Sequence, residues 1–270
     1  MAGNFASEKK LDIKWASMSL HWNNPTGNDF EPFLEQAKKA GYDGVTCFAF
    51  WGLECFLDDP KVLAQHLRNT GMELAAIDLP LDTRPEDYER VMDLMEETKC
   101  RQMVCIIRVK EKIYPPYADM INHIGEITRP RGIYAHLHNN TASIGENWND
   151  WEHLVPLIDF DKVSLMLDIG HATKDFCELP YPDRAFAYLN KHWDKIHYLE
   201  LKDYNKTTDL DTPLGEGYAD FVRIFALMKD KGYTGWITIE QNQNNGLSLG
   251  RSPFECAQIS REFVRKGLGI

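Results

Sequence analysis

Residues 163–173 read VSLMLDIGHAT. Five of the first six are apolar or small, and the run then closes on Asp168, Gly170 and His171. An unbroken apolar run of this length reads as a strand buried on both faces, the kind found in parallel sheets. A carboxylate at the end of such a strand is costly to bury unless a cation or a dense set of hydrogen bonds lies beside it. Three more stretches repeat the pattern, an apolar run ending in charged or imidazole side chains: 133–140 (IYAHLHNN), 195–204 (KIHYLELKDY) and 235–243 (GWITIEQNQ). The functional reading depends on those four strand ends meeting in one place.

Outward from these stretches, strands and helices alternate. Strands are expected over 11–20, 44–50, 72–79, 103–108, 133–138, 163–168, 196–202 and 236–240. Helices are expected over 29–40, 59–67, 85–98, 117–128, 148–158, 183–192, 218–231 and 253–266. The helix over 29–40 sets Phe30, Phe33, Leu34 and Ala37 on one face, and Gly41 follows as its C-terminal cap. The Asp59-Pro60 pair opens the next helix, and Gly71 closes it. Eight strands alternating with helices predict an α/β fold, a single (β/α)8 TIM barrel spanning 1–270 as one domain. No linker or shift of composition divides it. In such a barrel the chemistry sits at the C-terminal ends of the strands, where all four charged ends fall.

The net charge of −11 repels a phosphate backbone, so no nucleic-acid partner is expected. The six cysteines form no CxxC pair and read as reduced residues. No run reaches the roughly 18 apolar residues of a membrane span. The N-terminus carries no apolar segment of signal-peptide length, so a cytoplasmic location is expected.

Side chains two apart on a strand share a face. His136 and His138 therefore point the same way, as do Tyr198, Glu200 and Lys202, whereas His197 points away. One set consistent with a shared cavity is His136, Asp168, Glu200 and Glu240. Three carboxylates and an imidazole suit a divalent metal, with Mn²⁺ the expected ion and Mg²⁺, Co²⁺ or Zn²⁺ the others that match the donors. Without a cation the acids repel, and at least one is protonated. Each residue alone also has a structural reading. Asp168 can cap the following helix, Glu200 can pair with Lys202, and a strand-end histidine can be a hydrogen-bonded rim residue. Four at equivalent strand ends favour the metal.

The chain resembles the xylose isomerase-like barrel superfamily, the sugar phosphate isomerase/epimerase group that includes inosose dehydratases and apurinic endonucleases. MLDIGHA resembles that family's Asp-Thr-Gly-His strand end, and HYLELKDY its strand ending in His-x-Lys-Asp. LGEGYADF (214–221) resembles its Gly-x-Gly loop, and GYTGWITIEQ its last strand, which ends in a metal-binding glutamate. The resemblance implies that Asp168 and Glu240 bind the metal. Where the family has a glutamate on the fifth strand this chain has His136, and where it has a histidine on the seventh this chain has Glu200, so the two types have traded places. His197 is the fallback ligand.

The implied chemistry is proton abstraction next to a carbonyl, with an enediolate stabilised as charge develops on oxygen. His138, Glu240 and Lys202 are the candidate catalytic groups. His171, Arg108, His21 and Trp51 are candidate substrate contacts, each with a structural alternative as a salt bridge, loop contact or hydrophobic rim. The first expectation is a metal-dependent isomerase or epimerase on a sugar or keto-sugar. The alternative is a dehydratase or lyase on a keto-sugar, cyclitol or 3-keto-glycoside, resembling inosose dehydratases or carbon-glycoside deglycosidases. An apurinic endonuclease fits less well, because its metal cluster needs more His and Asp ligands. A homo-oligomer, or a metal-free partner subunit, is the remaining alternative.

Overall fold

The computed structural model describes residues 11–109, 111–242 and 250–270. Residues 1–10, read above for a leader segment, and Gln243 lie outside them. The strands are β1 (Asp12–Met18), β2 (Gly44–Phe48), β3 (Glu73–Pro80), β4 (Gln102–Ile106) and β5 (Tyr134–His138). They continue as β6 (Val163–Asp168), β7 (Ile196–Leu201), β8 (Asp203–Asn205), β9 (Asp209–Thr212) and β10 (Thr234–Ile239). Eight of them close a barrel in the order β1-β10-β7-β6-β5-β4-β3-β2, and β8 and β9 form a separate antiparallel pair. Each barrel strand is parallel to its neighbours. This is a (β/α)8 TIM barrel.

The strand alternation divides the core in two. Outward-facing residues such as Leu165 and Leu167 of β6 and Leu199 and Leu201 of β7 join one large apolar cluster under the helices. Inside the barrel, Ala76, Val104, Met166 and Tyr198 form a second cluster, with Trp236 against it. Thr238 Oγ1 ties this plug across the barrel, 2.7 Å from Thr46 Oγ1 and 2.8 Å from the Tyr198 hydroxyl. These side chains fill the barrel interior between its two mouths.

The helix Pro85–Thr98 has the expected bounds, and the helix Pro253–Leu268 starts at the expected residue. Ser252 and Glu255 cap the latter reciprocally. Besides shifts of a few residues at element ends, as where the strand expected over 11–20 ends at Met18 and the helix expected over 117–128 starts at Tyr114, three features differ from the sequence reading. The helix expected over 148–158 is α-helical only over Trp148–Leu154 and tightens to a 3-10 turn over Val155–Leu157, where Pro156 supplies no backbone donor. A short helix, Ile169–Asp175, starts directly at the end of β6. The β8–β9 hairpin follows β7 within two residues, in a stretch with no clear period. Among the described residues, no helix is long and apolar enough to cross a membrane.

Candidate metal centre and the groups around it

Asp168 is the last residue of β6 and also the N-cap of the helix that follows. Its Oδ1 accepts from the His171 amide at 2.9 Å, which leaves Oδ2 without a hydrogen-bond donor. The Asn139 side chain clamps the Asp168 backbone from both sides. Its Nδ2 donates to the Asp168 carbonyl at 2.9 Å, and its Oδ1 accepts from the Asp168 amide at 2.7 Å. Pairing of β6 with β7 sets Asp168 beside Glu200. His138, at the end of β5, presents Nε2 4.0 Å from Asp168 Oδ2 and 3.9 Å from Glu200 Oε1.

These three atoms form a donor set able to hold a metal ion. Donors about 2.1 Å from one ion can be no more than about 4.2 Å apart, so the observed separations need only small adjustments. All three side chains are buried, and neither Glu200 oxygen has a hydrogen-bond partner. Orphaned oxygens in a buried, acid-rich site are what a divalent cation would satisfy.

The electrostatics agree. Burial, followed by the Glu240 and Asp168 charges, pushes the Glu200 carboxyl well above the usual range. Burial also works against the Asp168 carboxylate, but the charges of Lys202, His171 and His138 outweigh it and hold the group down to about 2. Burial lowers His138 to about 4, leaving the neutral imidazole that ligation requires.

Lys202 is the only cation-bearing lysine buried among these acids in the described residues. Its Nζ donates to Glu240 and lies 3.5 Å from Asp168 Oδ2 and 3.9 Å from Glu200 Oε1. Burial opposes its charge, but Glu240, Asp168 and Glu200 raise its pKa above the ordinary lysine value. The same contact holds the Glu240 carboxyl below its usual range against the effect of burial. Gly170 explains how the stem fits: a Cβ there would lie 2.6 Å from Lys202 Cγ. Gly170 is therefore a packing requirement as well as part of a motif.

His136 is not at this centre. It shares a face with His138 but lies two residues, about 6.6 Å, nearer the N-terminal mouth. Its Nδ1 is 2.6 Å from Ser164 Oγ and its Nε2 2.7 Å from Gln102 Oε1, so both nitrogens are engaged. The imidazole that meets Asp168 and Glu200 is that of His138, and the metal-ligand expectation for His136 is corrected accordingly. Glu240 stands beside the centre on Lys202 rather than within the three-donor group. His197 is exposed on the outside of β7.

The other candidates divide by position. His171 Nε2 lies 3.8 Å from Asp168 Oδ2, while its Nδ1 is 2.9 Å from Thr141 Oγ1. His21 is buried and donates from Nε2 to the Pro253 carbonyl at 2.6 Å, pinning the start of the last helix. Arg108 and Trp51 are both exposed and line a cavity of about 310 Å³ at the C-terminal mouth. Asp78 lines the same cavity, and nothing in the sequence reading marked it. The available signal was an acid inside an apolar strand, AAIDLP, the same signal that marked Asp168.

A family model described as xylose isomerase-like TIM barrel matches residues 21–266. The chain belongs to the xylose isomerase-like TIM barrel family. Within reach of that family, the chain is 26% identical to an inosose dehydratase of Bacillus thuringiensis (strain Al Hakam), an alignment covering 97% of this chain and 99% of that one. Its fold is that of a D-allulose 3-epimerase from Methylomonas sp., with a TM-score of 0.73 at 16% identity over 96% of this chain and 99% of that one. It is also that of the IolI protein described with a bound zinc atom, with a TM-score of 0.70 at 15% identity over 95% and 98% of the two chains.

Proposed function

We propose that this enzyme of the xylose isomerase-like superfamily is a divalent-metal-dependent dehydratase acting on a cyclic keto-polyol. The observation that carries the reading is the buried donor set of His138, Asp168 and Glu200 with the Lys202–Glu240 pair against it. The full-length similarity to inosose dehydratases supports elimination as the outcome. Mn²⁺ is the expected ion, and one imidazole with two carboxylates also accepts Zn²⁺, Co²⁺ or Mg²⁺.

A bound divalent cation would supply Lewis acidity to a carbonyl and its neighbouring hydroxyl, making the adjacent C–H bond acidic. The chain's own residues do the rest. Glu240, kept ionised by Lys202, takes the α-proton. The C–H electron pair then forms the enolate, the bond to the β-hydroxyl breaks, and the proton gathered by Glu240 leaves with that hydroxyl as water. Lys202 orients Glu240 and balances the charge beside Asp168. His171 faces the same space and is assigned a substrate oxygen. With His138 assigned to the donor set, Glu240 is the one of the candidate catalytic groups that serves as base. Return of the proton to carbon instead of loss of water, the isomerase or epimerase outcome, uses the same groups and is the second reading.

The test is to incubate metal-reconstituted protein with 2-keto-myo-inositol in deuterated water. Loss of one water is expected, with solvent deuterium appearing at the former β-carbon when the enol product ketonises, and both should vanish in Glu240→Gln. Exchange without water loss would make the enzyme an isomerase or epimerase. Neither signal, with stoichiometric metal bound, would overturn the reading.

A further inference from the structure

Of the three ionisable residues lining the 310 Å³ cavity at the C-terminal mouth, Asp82 and Arg108 are exposed, while Asp78 is 2% exposed. Asp78 is the sixth residue of β3 and shares its face with Ala76, which belongs to the plug inside the barrel. The carboxyl therefore points inward, toward the cavity and the metal centre. Its Oδ1 is buried without a hydrogen-bond partner. A buried carboxyl oxygen left unpaired is costly, and such groups in a binding cavity are satisfied by what the cavity takes up. Apolar groups line the same cavity: Phe48, the cross-strand neighbour of Asp78, and Trp51, with ring centroids 5.5 Å apart, and Ile106 and Pro80.

We infer that Asp78 is a specificity-determining residue that receives a ring hydroxyl of the substrate remote from its carbonyl, while Phe48 and Trp51 take the ring's C–H face. The assignment rests on the cyclic keto-polyol reading above and narrows it. The substrate must extend from the metal centre toward β3 and carry a free hydroxyl at that end. Apolar side chains sharing a cavity with a single buried carboxyl fit a ring with one C–H-rich face and one directed hydroxyl. A short acyclic keto-sugar would leave Asp78 unpaired and fit less well.

The experiment measures binding to metal-loaded protein by titration calorimetry. The probes are myo-inositol and the six possible mono-deoxy-inositols, which have no carbonyl and are not turned over. For wild type, one deoxy compound should bind about 10- to 100-fold more weakly than myo-inositol, the range for leaving a buried hydrogen-bonding group unsatisfied. Asp78→Leu should weaken myo-inositol by the same factor and leave that one deoxy compound unchanged. Asp78→Asn, which keeps both size and an acceptor, serves as the second variant and should lose less, with the selectivity for that same hydroxyl reduced. Metal uptake by each variant reports that the site is intact. If Asp78→Leu and Asp78→Asn bind the whole panel as wild type does, the assignment is wrong while the cyclic reading stands. If wild type takes up metal but binds no member, the cyclic reading fails and takes the assignment with it.

Discussion

Replacing Lys202 by methionine keeps most of the stem's packing and removes one positive charge from among Asp168, Glu200 and Glu240. The ammonium lies 3.5 Å from Asp168 Oδ2 and 3.9 Å from Glu200 Oε1 and donates to Glu240. At an effective dielectric constant of about 20, the ammonium attracts each ionised carboxylate, Asp168 and Glu240, by about 4 kcal/mol, whereas Glu200, pushed well above the usual carboxylate range, adds less. Much of that is offset by the cost of burying the ammonium itself. Breaking such a buried group from one side nets about 3–5 kcal/mol, because carboxylates are left behind uncompensated. Metal-free Lys202→Met should therefore lose about 3–5 kcal/mol in urea unfolding. Saturating Mn²⁺ should recover most of the loss, since a divalent cation restores positive charge beside the same oxygens. The variant should also bind the metal more tightly than wild type, having lost a competing cation. Equal destabilisation with and without metal would refute the reasoning, because Lys202 would then be acting through packing alone. No destabilisation in either state would refute it equally.

Two further outcomes follow from the same geometry. Gly170→Ala places a Cβ 2.6 Å from Lys202 Cγ and should cost about 1–3 kcal/mol by chemical denaturation, displacing Lys202 and reducing α-proton exchange. Burial lowers His136 to about 3, so the folded protein binds fewer protons than the unfolded chain below the ordinary histidine pKa. Its contribution is thus fully present above about pH 6.5 and is lost as the pH falls toward the folded value. In His136→Phe the slope of stability against pH, from urea melts between about pH 6 and about pH 4, should fall by up to about 1.4 kcal/mol per pH unit. An unchanged slope would mean that His136 is protonated in the folded state.

The barrel was legible because its signals are local. Several buried strands, such as β4 and β6, are nearly continuous apolar runs, and proline and glycine mark helix ends such as Pro60 and Gly71. The meeting of Asp168, Glu200, Lys202 and Glu240 was legible, since an ionisable group closing an apolar run must find partners. Depth within the barrel was not. His136 and His138 share a face, and alternation alone cannot say which of two residues on one face reaches the mouth. Neighbouring strands decide it: Ser164 and Gln102 engage His136, while β6 pairing sets His138 across from Met166, one step below Asp168. Asp78 was passed over because it lies inside its apolar run, with Leu79 and Pro80 after it, rather than closing the run as Asp168 does. Asn139, which clamps the Asp168 backbone, carries no signal in a single sequence because its partners are main-chain atoms 29 residues away.

The central claim is that His138, Asp168 and Glu200 hold a divalent metal ion. Elemental mass spectrometry of purified wild type, His138→Ala, Glu200→Gln and His136→Phe, each reconstituted with Mn²⁺ and desalted, tests it most directly. Near-stoichiometric metal in wild type and His136→Phe, with loss in His138→Ala and Glu200→Gln, is the predicted result. Metal retained in His138→Ala but lost in His136→Phe would contradict it, as would a wild type that holds none.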